Sequence, residues 1–194
     1  MGVTVVSGIP GVGASKVCEE ARRELGDEYT LVNTGDVMLE AALERGLASS
    51  REGLAELPLA EQRVLQRRAG EYIRREARDG PVIANTHLVV QTPYGFLPGL
   101  PGPVLADVDP TALLLVEAEA TTICERREQS DYRDYPEATE LMVTFHQQLS
   151  RAAAMGYSMR AGIPVQLVPN EGALADAVES MVAAIERSEA AHPP

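Results

Sequence analysis

The chain has 194 residues, of which 45% are hydrophobic, and this length supports one well-buried core but not two comfortable domains. Acidic residues outnumber basic ones by 29 to 17, and the net charge of −12 argues against a nucleic-acid binder, which usually carries a basic surface. We therefore expect a single domain over residues 1–194 with no nucleic-acid partner.

Apolar, β-branched runs alternate along the chain with segments of helical periodicity. The runs predict strands at 3–6, 29–32, 81–84, 112–116 and 165–168. The periodic segments predict helices at 15–25, 37–45, 59–78, 120–129, 137–161 and 171–187. Because none of the apolar runs alternates strictly with polar residues, the predicted fold class is α/β, a five-stranded parallel sheet with helices on both faces.

Two further segments are predicted to be irregular. Residues 92–103 are so rich in proline and glycine that helix and central strand are excluded, and an ordered loop is expected there. The last residues, 190–194, are expected to fray. No internal repeat or linker interrupts the chain.

The sequence gives no sign of a membrane segment or a cysteine-based site. No apolar stretch approaches the ~20 residues of a membrane span, and no charged segment precedes the first apolar run. We expect a cytoplasmic protein without a membrane partner. Cys18 and Cys124 belong to no C-x-x-C pair or His-rich cluster, so both are interpreted as small apolar packing residues.

The composition also suggests adaptation to high salt concentration. All basic residues but Lys16 are arginine, and aromatic residues make up only 4% of the chain. Concentrated salt would screen the repulsion within such an acidic surface, which makes a halophilic protein the favoured interpretation. A GC-rich genome is the alternative, although codon bias does not explain the acid excess.

A glycine-rich loop follows the first predicted strand. It nearly matches the phosphate-binding pattern G-x-x-x-x-G-K-[ST], but alanine stands where the pattern has lysine. Backbone N–H groups of such a loop and of the following helix bind phosphate. The predicted residues for binding nucleotide phosphates are Gly8, Ile9, Pro10, Gly11, Val12, Gly13, Ala14, Ser15 and Lys16, with the Ser15 hydroxyl as the Mg²⁺ ligand. The alternative is a glycine turn that only joins strand to helix.

The position of Lys16 leaves its role open. It lies two residues after Ala14, so on a helix its side chain emerges roughly 200° around the axis from that position. The long side chain either reaches back to the phosphates as a catalytic cation or remains solvated.

Four stretches together resemble the archaeal type of adenylate kinase. They are the loop at residues 8–16, the segment Asn33-Thr-Gly-Asp-Val-Met-Leu39, the string Asn85-Thr-His-Leu-Val-Val-Gln-Thr-Pro-Tyr-Gly-Phe-Leu-Pro-Gly-Leu-Pro101, and Asn170-Glu-Gly172. The resemblance runs nearly end to end. It implies a P-loop kinase fold, phosphoryl transfer from ATP to AMP with Mg²⁺, and a homotrimer, since trimers are common in that family.

The resemblance also implies roles for individual residues. A monophosphate-binding segment is expected at about 33–80 and a short lid at about 127–136. The implied substrate-binding residues are Gly35, Asp36, Arg51, Thr86 and His87. The predicted catalytic residues are Arg51 and Arg126, with Lys16 and Arg133 as remaining cations that could take over from family cations that this chain lacks. Two of these have alternative interpretations, Asp36 as a helix N-cap and His87 as a packed core histidine.

The chain departs from the family pattern at charged positions. Ala14 replaces the loop lysine, Asn85 an aspartate, and Gln91 and Ala55 each an arginine. Cations placed where charge develops can contribute ~10³ or more to the rate of phosphoryl transfer. Two hypotheses from different classes therefore stay open: an active nucleoside monophosphate kinase, and a nucleotide-binding protein with little turnover that acts as a sensor or partner subunit. Another phosphoryl acceptor is a third.

Two other features are interpreted as structural. The apolar residues of the helix predicted at 137–161 are expected to face the core, and a surface for a partner is the alternative. These residues are Leu141, Phe145, Leu149, Ala152 and Ala153. Glu117 and Glu119, after the fourth strand, fit a solvated helix start more readily than a contact to a magnesium-bound water.

Overall fold

A computed structural model of the protein describes residues 2–130 and 139–191. Its centre is a five-stranded parallel sheet, as predicted. The strand order, which the sequence analysis left open, is β2-β3-β1-β6-β7. A separate antiparallel pair, β4 and β5, was not predicted. The strands are β1 (Val3–Ser7), β2 (Thr30–Asn33), β3 (Val82–Thr86), β4 (Val89–Thr92), β5 (Gly95–Pro98), β6 (Pro110–Glu117) and β7 (Val165–Pro169).

Helices cover both faces of the sheet, which confirms the predicted layers. One face packs against α1 and α8, and the other against α4, α5 and α7. The described helices are α1 (Ala14–Leu25), α2 (Thr34–Glu44), α3 (Arg51–Glu56), α4 (Leu59–Glu76), α5 (Gly102–Val108), α6 (Ala120–Glu128), α7 (Glu140–Ala161) and α8 (Leu174–Ala191).

Alternation along the central strand divides the core. Val3 and Val5 of β1 point into the cluster that contains α4, α5 and α7, whereas Val6 points into the cluster of α1 and α8. All three side chains are buried. Because the strand is covered on both faces, apolar side chains are needed on both of its sides, which explains why three of its first four residues are valine.

The prediction of an irregular loop at residues 92–103 is wrong. This stretch completes the β4–β5 hairpin and then begins α5 at Gly102. Pro93 and Tyr94 form the two-residue turn, and the Thr92 hydroxyl accepts a hydrogen bond from the Tyr94 N–H and donates one to the Gly95 carbonyl. Proline at the end of a short edge strand and at the start of a helix is tolerated, so a proline-rich sequence can still be regular.

The predicted fraying at 190–194 is also wrong for its first two residues, because α8 continues to Ala191; residues 192–194 lie outside the described chain. The short helix α3 was missed. Cys18 and Cys124 are buried, form no disulfide, and belong to the core cluster as predicted. Burial raises the pKa of Cys18 to about 12, which leaves its thiol unreactive.

The helix α7 departs from its predicted role. Leu149 and Ala153 are half-buried against the core as expected, but Leu141, Phe145 and Ala152 are exposed. The expectation that all five face the core is therefore wrong for three of them. None of the helices in the described ranges is long and apolar enough to cross a membrane.

Candidate functional site

The site is built on the turn between β1 and α1. Gly11 and Gly13 have φ values of 90° and 88°, which is the left-handed region that glycine adopts without strain. Gly13 is the N-cap of α1, no side chain forms a cap hydrogen bond there, and the first turn has no acidic residue. The N–H groups and the positive dipole end of α1 are therefore directed at the loop without an internal counter-charge, which suits a phosphate.

Distant side chains hold the carbonyl groups of this loop. Arg127 donates hydrogen bonds of 2.9 and 2.6 Å from Nε and Nη2 to the Pro10 carbonyl. The Val12 carbonyl accepts a 2.8 Å bond from Asn170 Nδ2 and a 3.3 Å bond from Arg126 Nη1. With its carbonyls held from outside, the loop keeps its N–H groups turned inward.

The end of β3 contributes polar side chains to the same edge of the sheet. Asn85 Nδ2 donates a 3.0 Å hydrogen bond to the Ser15 hydroxyl, and His87 Nδ1 lies 2.7 Å from the Gly8 carbonyl. The Ser7 hydroxyl accepts a 3.0 Å bond from the Leu88 N–H. His87 is half-buried beside the loop rather than packed inside the core, so the core interpretation is not supported.

The end of β2 and the start of α2 form the opposite side. Asn33 caps α2, since its side chain accepts a 3.2 Å bond from the Gly35 N–H. The alternative interpretation of Asp36 as the N-cap is therefore wrong; Asp36 lies in the first turn and forms an ion pair with Arg51 of α3. The Thr34 hydroxyl donates to the Asn85 carbonyl at 3.1 Å and ties the two strand ends together.

A cavity of about 370 Å³ lies between these elements. Its polar lining contains hydroxyl, amide and carboxylate groups, and its apolar lining comes from β2, α2 and α4. The lining residues are Ser15, Glu19, Leu31, Val32, Asn33, Asp36, Val37, Glu40, Tyr72 and Asn85. The structure thus brings together four sequence-predicted features: the loop, Asp36, Arg51 and the end of β3.

Part of this lining fits a magnesium ion. Mg²⁺ prefers oxygen ligands and in phosphate sites uses one or two protein groups together with phosphate and water. The Ser15 hydroxyl, the Asp36 carboxylate and the Asn85 amide supply such oxygens around one cavity. The described residues contain no cluster of three or more His, Cys, Asp or Glu that could hold a metal ion.

Ala14, which stands where the loop pattern has lysine, is part of the hydrophobic core. Ala14 is the first residue of α1 and is buried in the cluster that contains Val17 and Ala21. Lys16 is exposed and forms no hydrogen bond or ion pair with the described part of the chain. The helix therefore directs Lys16 away from the face that buries Ala14, as its spacing predicts.

Sequence reasoning missed several contacts that shape the site. Arg127 and Asn170 were not among the predicted site residues, although the resemblance at 170–172 marked the region of Asn170. Glu117 receives a bidentate pair from Arg151 at 2.8 and 2.6 Å and is not the solvated residue expected. The pKa of Arg151 is raised by this hydrogen bonding to Glu117. Arg133 and most of the predicted lid, residues 131–136, lie outside the described residues.

Comparisons with known proteins agree with this geometry. Residues 7–141 match the family model described as an AAA domain. The chain is 42% identical over 187 residues to an adenylate kinase of Methanothermobacter thermautotrophicus, covering 96% of this chain and 100% of that one. It is 35% identical to an adenylate kinase of Pyrococcus furiosus, covering 93% of each chain.

Solved structures share the fold at low sequence identity. A shikimate kinase from Acinetobacter baumannii superimposes with a TM-score of 0.63 at 12% identity, covering 97% of this chain and 95% of that one. A gluconokinase from Sinorhizobium meliloti 1021 gives a TM-score of 0.58 at 16% identity, covering 96% and 92%. These likenesses, together with the sheet order and the loop after β1, establish the P-loop kinase fold.

Proposed function

Because the chain belongs to the archaeal adenylate kinase family, we propose that it transfers the γ-phosphoryl group of ATP to AMP and so forms two molecules of ADP. One observation carries this proposal: the N-terminus of α1 is uncapped and faces a glycine loop that is held open by side chains of α6 and by Asn170. Bare N–H groups at that point suit the phosphates of a nucleotide.

Each side of the cavity has a task in this reaction. The loop from Gly8 to Lys16 would bind the ATP phosphates, and Arg51, with the Gly35 backbone, would bind the phosphate of AMP. In the structure Arg51 is paired with Asp36, so the guanidinium lies beside a carboxylate that lines the cavity. Thr86 and His87, next to the loop, would line the path between the two phosphates. Positioning two anions in line is most of what such a reaction requires.

Cations compensate the charge that develops during transfer. Arg126 lies against the loop through its bond to the Val12 carbonyl, and we propose that it and Lys16 face the ATP phosphates. We propose Arg133 as a third cation that faces the ATP phosphates. Bound Mg²⁺ would supply neutralisation of the phosphate oxygens. Ser15 would hold it directly, while Asp36 and Asn85 would accept or orient its water ligands.

A second candidate function is nucleotide binding with little turnover. The burial of Ala14 in the core favours it, since the position that normally carries the catalytic lysine now contributes only packing. The amide of Asn85 favours it as well, because a neutral group replaces a carboxylate beside Ser15. The proposed kinase therefore depends on Lys16 as the replacement cation.

Several further expectations remain proposals. We propose that the segment at about 33–80 binds AMP and that the short lid at about 127–136 closes over ATP. A cytoplasmic location and adaptation to high salt are proposed on the chain's composition and its charge of −12. AMP is the proposed acceptor because the relatives are named adenylate kinases.

The experiment that separates the two candidates compares Lys16→Ala with the unchanged protein and with Arg23→Ala, which removes an exposed arginine of the same helix that is paired with Glu20. ADP formation and ATP binding are measured for each. An active kinase with a relocated cation loses ~10³-fold in turnover on Lys16→Ala, retains ATP binding, and is unaffected by Arg23→Ala. ATP binding without turnover in the unchanged protein supports the second candidate.

A further inference from the structure

Helix α6 places two arginines on the phosphate loop, residues 8–16. Arg126 and Arg127 lie in its last turn and donate hydrogen bonds to two carbonyl groups of that loop. The helix has only nine residues, so it is about 13 Å long, and a tilt at its start moves both guanidinium groups. The contacts that hold the start of α6 therefore decide where the two arginines meet the loop.

The start of α6 has no cap of its own. Glu119 is the N-cap residue, but its side chain forms no cap hydrogen bond, and the first turn contains no acidic residue. The missing group comes from Glu171, which lies 52 positions away in the turn between β7 and α8. Its carboxylate accepts hydrogen bonds from the Glu119 N–H and, at 2.9 Å, from the Thr122 hydroxyl. A residue outside the helix thus caps its first turn.

This arrangement is a capping box that is completed from another element. In a capping box the side chain at the third helical position accepts a hydrogen bond from the N–H of the N-cap residue. Thr122 occupies that third position in α6 and has no carboxylate, whereas Glu171 binds both the N-cap N–H and Thr122. The negative charge of Glu171 also lies at the positive end of the helix dipole. Glu171 therefore fixes the direction in which α6 leaves the sheet.

The residue before Glu171 holds the phosphate loop. Asn170 is buried, and its Nδ2 donates a 2.8 Å hydrogen bond to the Val12 carbonyl. The loop lies so close that a Cβ added to Gly13 would be 2.7 Å from the same nitrogen. Two neighbouring residues of one turn thus bind the phosphate loop and the start of α6, and together they set the position of one relative to the other.

Other contacts keep the end of β6 in place without Glu171. Glu117, the last residue of β6, receives the bidentate pair from Arg151. Gln147 donates a 2.8 Å hydrogen bond to the Ala118 carbonyl. Because these bonds do not involve the Glu171 side chain, its removal should change the orientation of α6 and leave the strand and the fold intact.

We propose that Glu171 is a positioning residue for ATP: by capping α6 it sets the place at which Arg126 and Arg127 meet the phosphate loop. The inference rests on the proposed function in that the loop binds the ATP phosphates. Hydrogen bonds weaken steeply as their angle departs from linear, so a tilt of α6 should loosen the grip of Arg127 on the loop. AMP binding should not change, because Arg51 belongs to α3 and has no contact with this turn.

Calorimetric dissociation constants of ATP and AMP test the inference without requiring turnover. Glu171→Ala should raise the ATP constant about 5- to 10-fold and leave the AMP constant unchanged. Glu171→Gln should recover most of that loss, since an amide can still bond to both groups. Glu179→Ala, which removes an exposed carboxylate of α8, is the control and should change neither constant. Equal weakening of ATP and AMP binding by Glu171→Ala, or no weakening of either, would overturn the proposal.

A double-mutant cycle shows whether Glu171 acts through Arg127. In the Arg127→Ala background, Glu171→Ala should weaken ATP binding by about twofold or less, because the guanidinium that it positions is absent. If the two effects instead multiply, Glu171 does not position Arg127 and the inference is wrong. ADP formation by the unchanged protein is measured alongside. ATP binding without ADP formation would contradict the proposed kinase activity, whereas the positioning role is judged from the ATP and AMP constants alone.

Discussion

The side-chain amide of Asn85 donates a 3.0 Å hydrogen bond to the hydroxyl of Ser15, the residue that follows the buried Ala14. Two of the four positions at which the chain departs from the pattern of its family, Ala14 and Asn85, thus lie next to one serine. A lysine and an aspartate carry opposite charges, so their joint absence leaves the net charge of the site unchanged. We interpret the two departures as linked.

Asn85→Asp should make the protein dependent on metal for stability. Asn85 is 8% exposed, so a carboxylate there is desolvated, and without a neighbouring cation it should reduce the free energy of unfolding by about 1–3 kcal/mol. Mg²⁺ with ATP should recover that loss. Thermal unfolding with and without Mg-ATP measures both effects. Asn85→Ala is the control, since it removes the hydrogen bond without adding charge; if Mg-ATP stabilises both variants equally, the carboxylate does not face the metal.

Arg51→Ala should weaken AMP binding selectively. A charge-assisted bond to a phosphate contributes about 1.5–3 kcal/mol, so KM for AMP should rise about 10- to 100-fold while KM for ATP stays nearly constant. The pair with Asp36 is solvent-exposed, and its loss should change stability by no more than about 1 kcal/mol. Steady-state kinetics with each nucleotide varied is the measurement. Arg45→Ala, which breaks the comparable surface pair with Glu61, should change neither KM; a rise in both would point to general damage.

Gly11→Ala should destabilise the phosphate loop for two reasons, backbone strain and a steric clash with Arg127. An added Cβ would enter the left-handed region at φ 90° and would lie 2.8 Å from Cγ of Arg127. The free energy of unfolding should fall by about 2–4 kcal/mol, because the left-handed backbone is strained for alanine and the added methyl group overpacks against Arg127. Gly46→Ala is the matched control, because its φ is 64° and no atom lies within 4 Å.

Gly46→Ala should therefore lose only about 1–2 kcal/mol. Denaturant unfolding and ATP binding measured side by side separate the two variants. If Gly11→Ala is no more harmful than Gly46→Ala and still binds ATP, Arg127 does not hold the loop in the way described.

His146 should make stability depend on pH. Burial lowers its pKa from the usual 6.5, against the opposing effect of its 3.0 Å hydrogen bond to the Val89 carbonyl. The unfolded chain then binds the proton more readily than the folded protein. Stability is fully present above pH 6.5 and falls as the pH drops through 6.5 towards the lower folded pKa, by up to about 1.4 kcal/mol per pH unit.

Unfolding free energies of the unchanged protein and of His146→Gln, measured between pH 5 and 8, isolate this contribution from that of the carboxylates. The variant should show the shallower dependence below pH 6.5. Parallel curves would mean that His146 takes up its proton equally well in both states.

Much of the fold could be predicted because the local signals are strong. The five apolar runs and the loop after β1 fix a parallel sheet with one edge that binds anions, since each strand is buried on both faces. The hairpin at 89–98 could not be predicted from composition, because proline and glycine also suit a tight turn and edge strands. Gly99 follows the hairpin and packs directly against the His87 carbonyl, where an added Cβ would clash.

The missed parts of the site depend on contacts between distant residues. Arg127 is 117 positions from Pro10, and Asn170 is 158 positions from Val12, so periodicity along the chain contains no information about these bonds. The prediction of which face of helix α7 meets the core was wrong for a different reason. Its buried face includes the polar residues His146, Gln147 and Ser150, so the apolar periodicity indicated the wrong face as the one that meets the core.

The most direct test of the account is ADP formation from ATP plus AMP with Mg²⁺, in dilute buffer and in molar potassium chloride. The account predicts two ADP for each ATP consumed, a requirement for both nucleotides, and faster turnover in potassium chloride. If neither buffer yields ADP while ATP still binds, the chain has kept the fold and the nucleotide site of its family without the reaction, and the proposed function is wrong.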